Sequence, residues 1–574
     1  MDSKKIRKIK IKNFILCSSL VIIGAILFGL ANPNPLIKQG LSFVAWFMYV
    51  PFLFLIKKSF LKNSWIYSAF YGVLCVCAYA WWLYNYDSMC LYIAIPIAFI
   101  GGAILGLSLK AAERYFVKNA WLVQFLILCT FDYLRTLGFL GIPYGLAAYT
   151  QWKFDSLIQV TSVIGVFGLN AIVIFSSFLI FAFISKSEDK KYFIHKMISD
   201  DKHYEGATYI NYVSENTRKL ENASLKIPIV AVSLWVVLLV LILIQGNIKL
   251  KKNQEYRTIT AVAVQHNDDP DANGIENFNE SIQSLIKLTD EALEMNENIS
   301  LVIWPETAVV PSIVYHYNQE KDTDRKKLVS HVLDFFAKHN QVFIIGNQHI
   351  QTDRISGGKI YYNSALMFDD KKSINPPDPK IYNKIHLVPF SEYFPYEKLF
   401  PHIFKAILER QKFFSEPGNE ITVFNTRGLA AYTPICFENT FPDLCRKAYK
   451  NGARCFICLV NDSWAKSESC QYEHLAMAKF RAVENGVPVA VSAVSGQSAF
   501  IDPNGQIMAM AVPFTQSYVI SELPLIPQDQ IPTVYNRIGD VFGYGIAFLL
   551  LVVLIIRGII AIINKVIWQN AQKQ

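Results

Sequence analysis

Charged residues are scarce in this chain, making up 18% of 574 residues against 52% hydrophobic and 14% aromatic. A water-soluble domain carries about 25% charged residues. That excludes an ordinary soluble enzyme and predicts several bilayer spans. Internal repeats and low-complexity tracts are also missing, which removes solenoid and collagen-like architectures. The ten cysteines lack the spacing of a disulfide framework. Five lie in or beside apolar runs (Cys17, Cys75, Cys77, Cys90, Cys129) and five elsewhere (Cys436, Cys445, Cys455, Cys458, Cys470). Cys455-Phe456-Ile457-Cys458 is half of a zinc or redox pair with no second half. Its apolar, strand-like setting reads as buried core cysteines, so no metal is expected.

What the chain has in abundance is apolar runs. They fall at Phe14–Leu30, Leu41–Ile56, Trp65–Leu83, Leu91–Leu109, Trp121–Leu134, Leu157–Ile184, Ile227–Ile244 and Tyr544–Ile563. Each is near the ~20 residues needed to cross hydrocarbon, although the second and fifth are short or interrupted. About eight spans are expected. The first is long for a signal peptide and is followed by a weak cleavage site, so an uncleaved helix is expected. Lysine and arginine flank alternate ends of the runs: Lys4 to Lys12, Lys57-Lys58, Lys110 to Lys118, Lys186 to Lys202, Arg557 and Lys565. By the positive-inside rule both termini are cytoplasmic and the long polar segment lies outside. This predicts a membrane domain at 1–245 with a cytoplasmic insert near Ser185–Ser224. An extracytoplasmic domain follows at 246–540, then a final span and tail at 541–574. The net charge of +9 is largely cytoplasmic flanking charge and calls for no nucleic-acid partner.

Within 246–540 the periodicity alternates. A β-like run at Thr258–Val264 precedes an amphipathic helix near Asn277–Met295 and a strand at Ser300–Trp304. Helices are predicted at Lys326–His339, Phe441–Asn451 and Gln471–Asn485. Strands are predicted at Val342–Ile345, Asn363–Phe368, Leu429–Tyr432, Arg454–Val460 and Val487–Val494, with a closing hairpin around Pro503-Asn504-Gly505. Strands alternating with helices predict an α/β layered domain.

Three segments of this domain carry residues suited to acyl transfer. Cys436 sits between an apolar run and a helix-start-like Glu438-Asn439, where helix N–H groups favour a thiolate. Taken alone it reads more readily as a buried core cysteine. Glu306 follows Ile303-Trp304-Pro305 at a strand end, where a carboxylate walled by apolar groups can take a proton from a thiol. An exposed turn acid is an equal alternative. Lys384 could pair with Glu306, hold Cys436 as thiolate and stabilise an oxyanion; alone it reads as a solvated strand lysine. His386, without a partner, reads as a packing residue.

Together the three segments resemble the nitrilase superfamily of carbon–nitrogen hydrolases. Joined to the spans, they resemble the apolipoprotein N-acyltransferase family of bacteria. Further matching segments are Tyr361-Tyr362-Asn363-Ser364, Pro389-Phe390-Ser391-Glu392-Tyr393, Asn461-Asp462-Ser463-Trp464, His474-Leu475-Ala476-Met477-Ala478 and Arg481 to Gly486. Asp132-Tyr133-Leu134-Arg135 and Gly141 to Gly145 match in the membrane part. The resemblance implies a polytopic membrane domain plus a four-layer αββα sandwich. It implies Glu306 as general base, Lys384 as oxyanion-stabilising lysine and Cys436 as nucleophile, supported by Trp304, Glu392, Phe437 and Glu438. Phe437 replaces a tyrosine usual after the nucleophile, so that hydroxyl is absent here. Val494 to Ser498 departs from the family loop.

The resemblance further implies ping-pong transfer of an acyl chain through a Cys436 thioester. The donor would be phospholipid, with phosphatidylethanolamine expected. The acceptor would be the α-amino group of a diacylglyceryl-cysteine at a lipoprotein N-terminus, in the inner membrane. No cofactor is expected, and the protein is expected to be a monomer. The aromatic stretch Tyr393–Phe414 reads either as an arm dipping into the interface or as a segment packed on the domain. Two other functions fit parts of the pattern: a membrane-tethered amidase, or a transporter or receptor with a non-catalytic outer module. Against the latter, the spans hold few ionisable residues.

Overall fold

The structure is a computed structural model. It describes residues 3–571 apart from 87, 117–118, 139–140, 201–224, 253–254, 271–272, 320, 354–356, 395–397, 400, 403, 406–407 and 409–413. The apolar runs become helices α1 (Ser3–Ala31), α2 (Val50–Lys58), α3 (Ser64–Tyr79), α4 (Ser88–Tyr115) and α5 (Ala120–Leu134). They continue as α6 (Thr161–Asp200), α7 (Lys226–Lys251) and, at the end of the chain, α12 (Val541–Ala571). Among the described residues five of these are long and apolar enough to cross a membrane: α1, α4, α6, α7 and α12. Helices α3 and α5 are apolar but shorter, at 16 and 15 residues.

The second expected span differs. Leu41–Ile56 splits into a single 3₁₀ turn, Ser42–Trp46, and the nine-residue α2 with Pro51 at its start. Met48, Phe52, Leu55 and Ile56 are fully buried. The stretch is a core helix of the bundle rather than a lipid-facing span, since nine residues cover only ~14 Å. Helix α6 is broken at Gly165, whose φ of 66° no helical residue adopts. Of the expected insert, the helix reaches Asp200 and residues 201–224 lie outside those described.

Among the described residues twelve strands form two six-stranded sheets. The first has the order β12-β1-β2-β3-β4-β5, built from β1 (Thr258–Gln265), β2 (Leu301–Ile303), β3 (Val342–Thr352), β4 (Lys359–Phe368), β5 (Lys380–Asn383) and β12 (Ser517–Pro524). The second has the order β11-β10-β9-β8-β7-β6, from β6 (Val423–Thr426), β7 (Leu429–Tyr432), β8 (Cys455–Val460), β9 (Val489–Ala493), β10 (Ala499–Ile501) and β11 (Ile507–Met510). Strands β1-β2-β3 and β7-β8-β9 run parallel at the sheet centres.

The alternation of β1 shows how the layers arise. Val262 and Val264 pack outward against α8 (Ile275–Met295) and α9 (Thr323–Lys338), while Ala261 and Ala263 face the second sheet. Small inner residues let the sheets approach, and Ser492 donates across the gap to the carbonyls of Val264 and Ile303 at 3.0 and 3.2 Å. Helices α10 (Pro442–Lys450) and α11 (Glu468–Asn485) cover the second sheet. This is the expected αββα sandwich.

Helix α11 also docks the sandwich on the membrane helices. Arg481 and Glu484, both fully buried, pair at 2.9 Å. Glu484 accepts from the Val166 N–H freed by the Gly165 break, at 2.9 Å. Lys479 pairs with Asp155 at 2.8 Å. Buried charges persist only when partnered in this way.

Candidate active site

The site forms where the parallel strands of both sheets end. Glu306 follows β2, Cys436 follows β7 and Asn461 follows β8, the carboxyl ends at which open α/β sheets place their ligands. Lys384 leaves β5. Glu306, Lys384 and Cys436 are 6%, 1% and 6% exposed and line one cavity. The backbone is bent to achieve this. Cys436 has a φ of 50° and Thr307 one of 54°, a region that non-glycine residues rarely adopt. β3 passes close behind the Glu306 turn at Gly346, where a Cβ would stand 2.3 Å from the Pro305 carbonyl oxygen.

The hydrogen bonds set the geometry. Lys384 Nζ lies 3.3 Å from Glu306 Oε1 and 2.9 Å from Glu392 Oε1. Asn363 Nδ2 donates to the same two oxygens at 2.8 Å each. The Val388 N–H fixes the other Glu392 oxygen at 2.8 Å. The Asn461 N–H donates to Glu306 Oε2 at 2.8 Å, while its carbonyl lies 4.0 Å from Cys436 Sγ. The backbone of a single residue, Asn461, thus lies between acid and sulfur.

Electrostatics follow from burial. Burial works against the Lys384 ammonium, but Glu392 and Glu306 outweigh it and hold the group well above its ordinary range. Burial pushes the Cys436 thiol well up and Glu306 adds to this, with Lys384 opposing. The expectation that a helix N-terminus and Lys384 hold Cys436 as thiolate is therefore corrected. Cys436 opens a five-residue 3₁₀ turn rather than an α-helix, and burial with Glu306 disfavours the thiolate.

Glu438 is fully buried and ties two segments together. Its Oε1 accepts from Tyr382 Oη (2.7 Å), Ile385 N–H (2.7 Å) and His386 N–H (3.1 Å). Its Oε2 accepts from Ile435 N–H at 2.9 Å. It therefore locks the lysine segment to the cysteine turn. Burial raises it to about 7 despite these donors. Trp304 points away from the cavity into the outer core, with Nε1 bonded to Thr289 at 3.0 Å and rings of Phe335 and Phe336 around it. It supports the Glu306 turn through packing. Phe437 lines the cavity and packs edge-on against Phe441 at 4.9 Å, and Phe441 stacks on His386. His386 is thus the packing residue expected.

Asn363, Asn461, Tyr144 and His474 line the same cavity, and residue-level reasoning gave none of them a role. Asn461 had a readable signal: a polar residue directly after a fully apolar strand. Cys455 and Cys458 are both fully buried in β8, three residues apart and so on opposite faces. In the aromatic stretch, Phe394, Phe404 and Phe414 form a row with centroids 5.6 and 5.8 Å apart. Tyr396, Phe400 and Phe413 lie outside the described residues.

The cavity, about 670 Å³, does not stop at the sandwich. It continues between α3, α4 and α5, past Trp82, Tyr79, Ala94 and Gly101 to Ser68, Phe52 and Leu105. A sandwich of this topology set on apolar helices defines a membrane-bound carbon–nitrogen hydrolase fold. Residues 260–526 match the carbon–nitrogen hydrolase family, and residues 24–179 match the apolipoprotein N-acyltransferase N-terminal domain. Apolipoprotein N-acyltransferase 1 of Treponema denticola is 34% identical over 96% of this chain and 98% of its own length. That of Treponema pallidum is 33% identical over 88% and 89%. The apolipoprotein N-acyltransferase of Borreliella burgdorferi is 28% identical over 93% and 95%. The chain belongs to the apolipoprotein N-acyltransferase family and is a multi-pass membrane enzyme of the acyltransferase class.

Proposed function

We propose that this protein transfers an acyl chain from a phospholipid, through a thioester on Cys436, to the α-amino group of a lipoprotein's N-terminal diacylglyceryl-cysteine. Glu306 takes the Cys436 proton as the sulfur attacks the ester carbonyl. Lys384 and a backbone N–H stabilise the tetrahedral oxyanion. Lysophospholipid leaves with the proton, and the amine then displaces the thiol to form an amide. Glu392 and Asn363 keep Lys384 and Glu306 in register. Glu438 positions the cysteine turn against the lysine segment.

The observation that carries this reading is the continuity of the cavity. Along α4 it runs from Cys90 to Leu105, about 22 Å at 1.5 Å per residue. One leaflet of a ~30 Å hydrocarbon core is ~15 Å deep, so the apolar slot suits one lipid chain with its ester at Cys436. A soluble amide needs no such slot. A filled slot also keeps water from the thioester until the amine arrives.

The same reading divides the chain at 1–245, 246–540 and 541–574. From the lysine and arginine placement, it sets the sandwich on the extracytoplasmic face of the inner membrane. Phosphatidylethanolamine is the proposed donor and a monomer the proposed unit. The test is product analysis. Purified protein given labelled phospholipid and a diacylglyceryl-cysteine peptide should yield the N-acyl peptide and lysophospholipid in equal amounts. Release of free fatty acid with no acylated peptide would indicate a hydrolase and overturn the proposal.

A further inference from the structure

Tyr144, His474 and Asp462 form a line of ionisable groups that this acyl-transfer scheme leaves unused. Tyr144 lies between α5 and α6, and its hydroxyl is hydrogen-bonded to His474 Nε2. His474 is on α11, and its Nδ1 lies 3.8 Å from Asp462 Oδ2, just beyond β8. All three are buried, at 6%, 5% and 2% exposure. Tyr144 and His474 line the cavity that holds Cys436. His474 Nδ1 and Asp462 Oδ1 have no hydrogen-bond partner among the described residues. Buried polar atoms left open beside a reaction cavity call for an explanation.

Proton balance supplies one. In the first half-reaction Glu306 moves one proton from the Cys436 sulfur to the departing lysophospholipid. In the second it moves one from a neutral amine back to that sulfur. An α-amino group has an ordinary pKa of about 7.7–8.0, so near neutral pH it arrives mainly as ammonium. It carries one proton more than Glu306 can handle while serving the attack.

We propose that the Tyr144–His474–Asp462 line removes this extra proton. The ammonium N–H bond breaks to the Tyr144 oxygen, the phenol proton passes to His474 Nε2, and the Nδ1 proton of His474 passes to Asp462. The result is a neutral amine, a neutral imidazole in its other tautomer and a protonated Asp462. The amine then attacks, its N–C bond forming as the C–S bond breaks. Asp462 later returns its proton to water. This step rests on the acyl transfer proposed above.

The surroundings suit each role. The relay assigns the phenol as donor to Nε2, which puts the proton of the neutral ring on Nδ1, facing Asp462. Burial raises Asp462 to about 7, close to the amine it must relieve. Burial, with Lys384, lowers His474 to about 4, so the imidazole passes a proton without keeping it. The titratable and charged groups around the line are Lys384, Cys436 and Glu306, with Cys470 and Glu473 on α11 itself. The 3.8 Å gap closes with a small ring movement, as apo proton-transfer contacts commonly do.

The test separates the half-reactions. Full-length protein in detergent is loaded with labelled acyl chain from phospholipid, then chased in a single turnover with diacylglyceryl-cysteine peptide from about pH 6 to about pH 9. Tyr144→Phe removes one oxygen; His474→Gln and Asp462→Asn complete the set. Each variant should still form the thioester. The chase near pH 7 should slow about tenfold, the inverse of the neutral-amine fraction at that pH, and recover toward the parent rate near pH 9, where the amine arrives neutral. Hydroxylamine, neutral at pH 7, should cleave the thioester equally fast in parent and variants. An unchanged peptide chase at pH 7, or losses that high pH does not restore, overturns the relay and leaves acyl transfer standing. Absence of any thioester in the parent protein overturns both.

Discussion

Helices α11 and α12 make opposite use of the same physics. Every residue of α11 from Ser469 to Asn485 is buried, including Glu473, His474, Lys479, Arg481 and Glu484. In α12 none of the most apolar 18-residue stretch is buried, and Leu551, Ile555, Ile559 and Ile563 all face outward. Composition alone would put α12 inside and α11 on the surface. The inversion shows that two solvents are at work. Around α12 the medium is hydrocarbon, which accepts isoleucine and rejects charge. Helix α11 lies in the seam between sandwich and bundle, where Lys479, Arg481 and Glu484 are each held by a charged partner.

The comparison can be broken from either side. The largest effect expected is chemical: Lys384→Met leaves Glu306 and Glu392 facing each other without their cation. Acyl transfer should fall about a thousandfold, as for loss of an oxyanion donor. Assay of N-acyl peptide against a Cys436→Ala baseline measures it.

Next, Glu484→Leu strands the buried Arg481 guanidinium and the Val166 N–H. Stability should drop about 3–5 kcal/mol, read by thermal unfolding in detergent. Adding Arg481→Met to it should restore much of that loss. On the other helix, Ile555→Lys should cost about 2.5–3.5 kcal/mol of insertion free energy at mid-span, read by cysteine-accessibility mapping of the C-terminus.

A smaller effect is pH-dependent. Glu438 and Glu484 have folded-state values raised by burial from 4.5 to about 7. The folded protein therefore binds more protons than the unfolded chain between those values. Their contribution is fully present below about pH 4.5 and is lost as pH climbs through 7, so melting temperature should decline across that window. Glu438→Gln should flatten the slope. At the small end, breaking the exposed Lys287–Glu291 pair, 3.9 Å apart on α8, should change stability by less than about 0.5 kcal/mol.

How far these features could be read in advance depended on pattern length. Strand β1 and helices α8, α9 and α11 were legible because each repeats its period several times. Strand β5, four residues ending at Asn383, repeats too little to be seen. Strand β12 alternates only partly, and its pairing with β1 spans the whole sandwich. The span at Leu41–Ile56 was misjudged because hydropathy does not distinguish a core helix from a lipid-facing one, and Pro51 sits inside the apolar run. Glu306 and Cys436 were nameable from their strand-end settings and Lys384 as a cation that could pair with both, although each alone favoured or equalled a structural role. Glu438 was nameable only through the family resemblance, since its four donors come from backbone and tyrosine groups more than fifty residues away as well as from Ile435. Tyr144 and His474 meet across 330 residues, a contact that no local pattern encodes.

Acyl transfer by this protein requires that Cys436 become acylated by lipid at the head of the membrane cavity. Full-length protein incubated with labelled phospholipid and no acceptor, then digested and mass-analysed, tests this directly. The expected result is a hydroxylamine-labile acyl group on the Cys436 peptide that disappears on adding diacylglyceryl-cysteine peptide. An acyl group on any other residue, or an unmodified Cys436 after donor turnover, would contradict it.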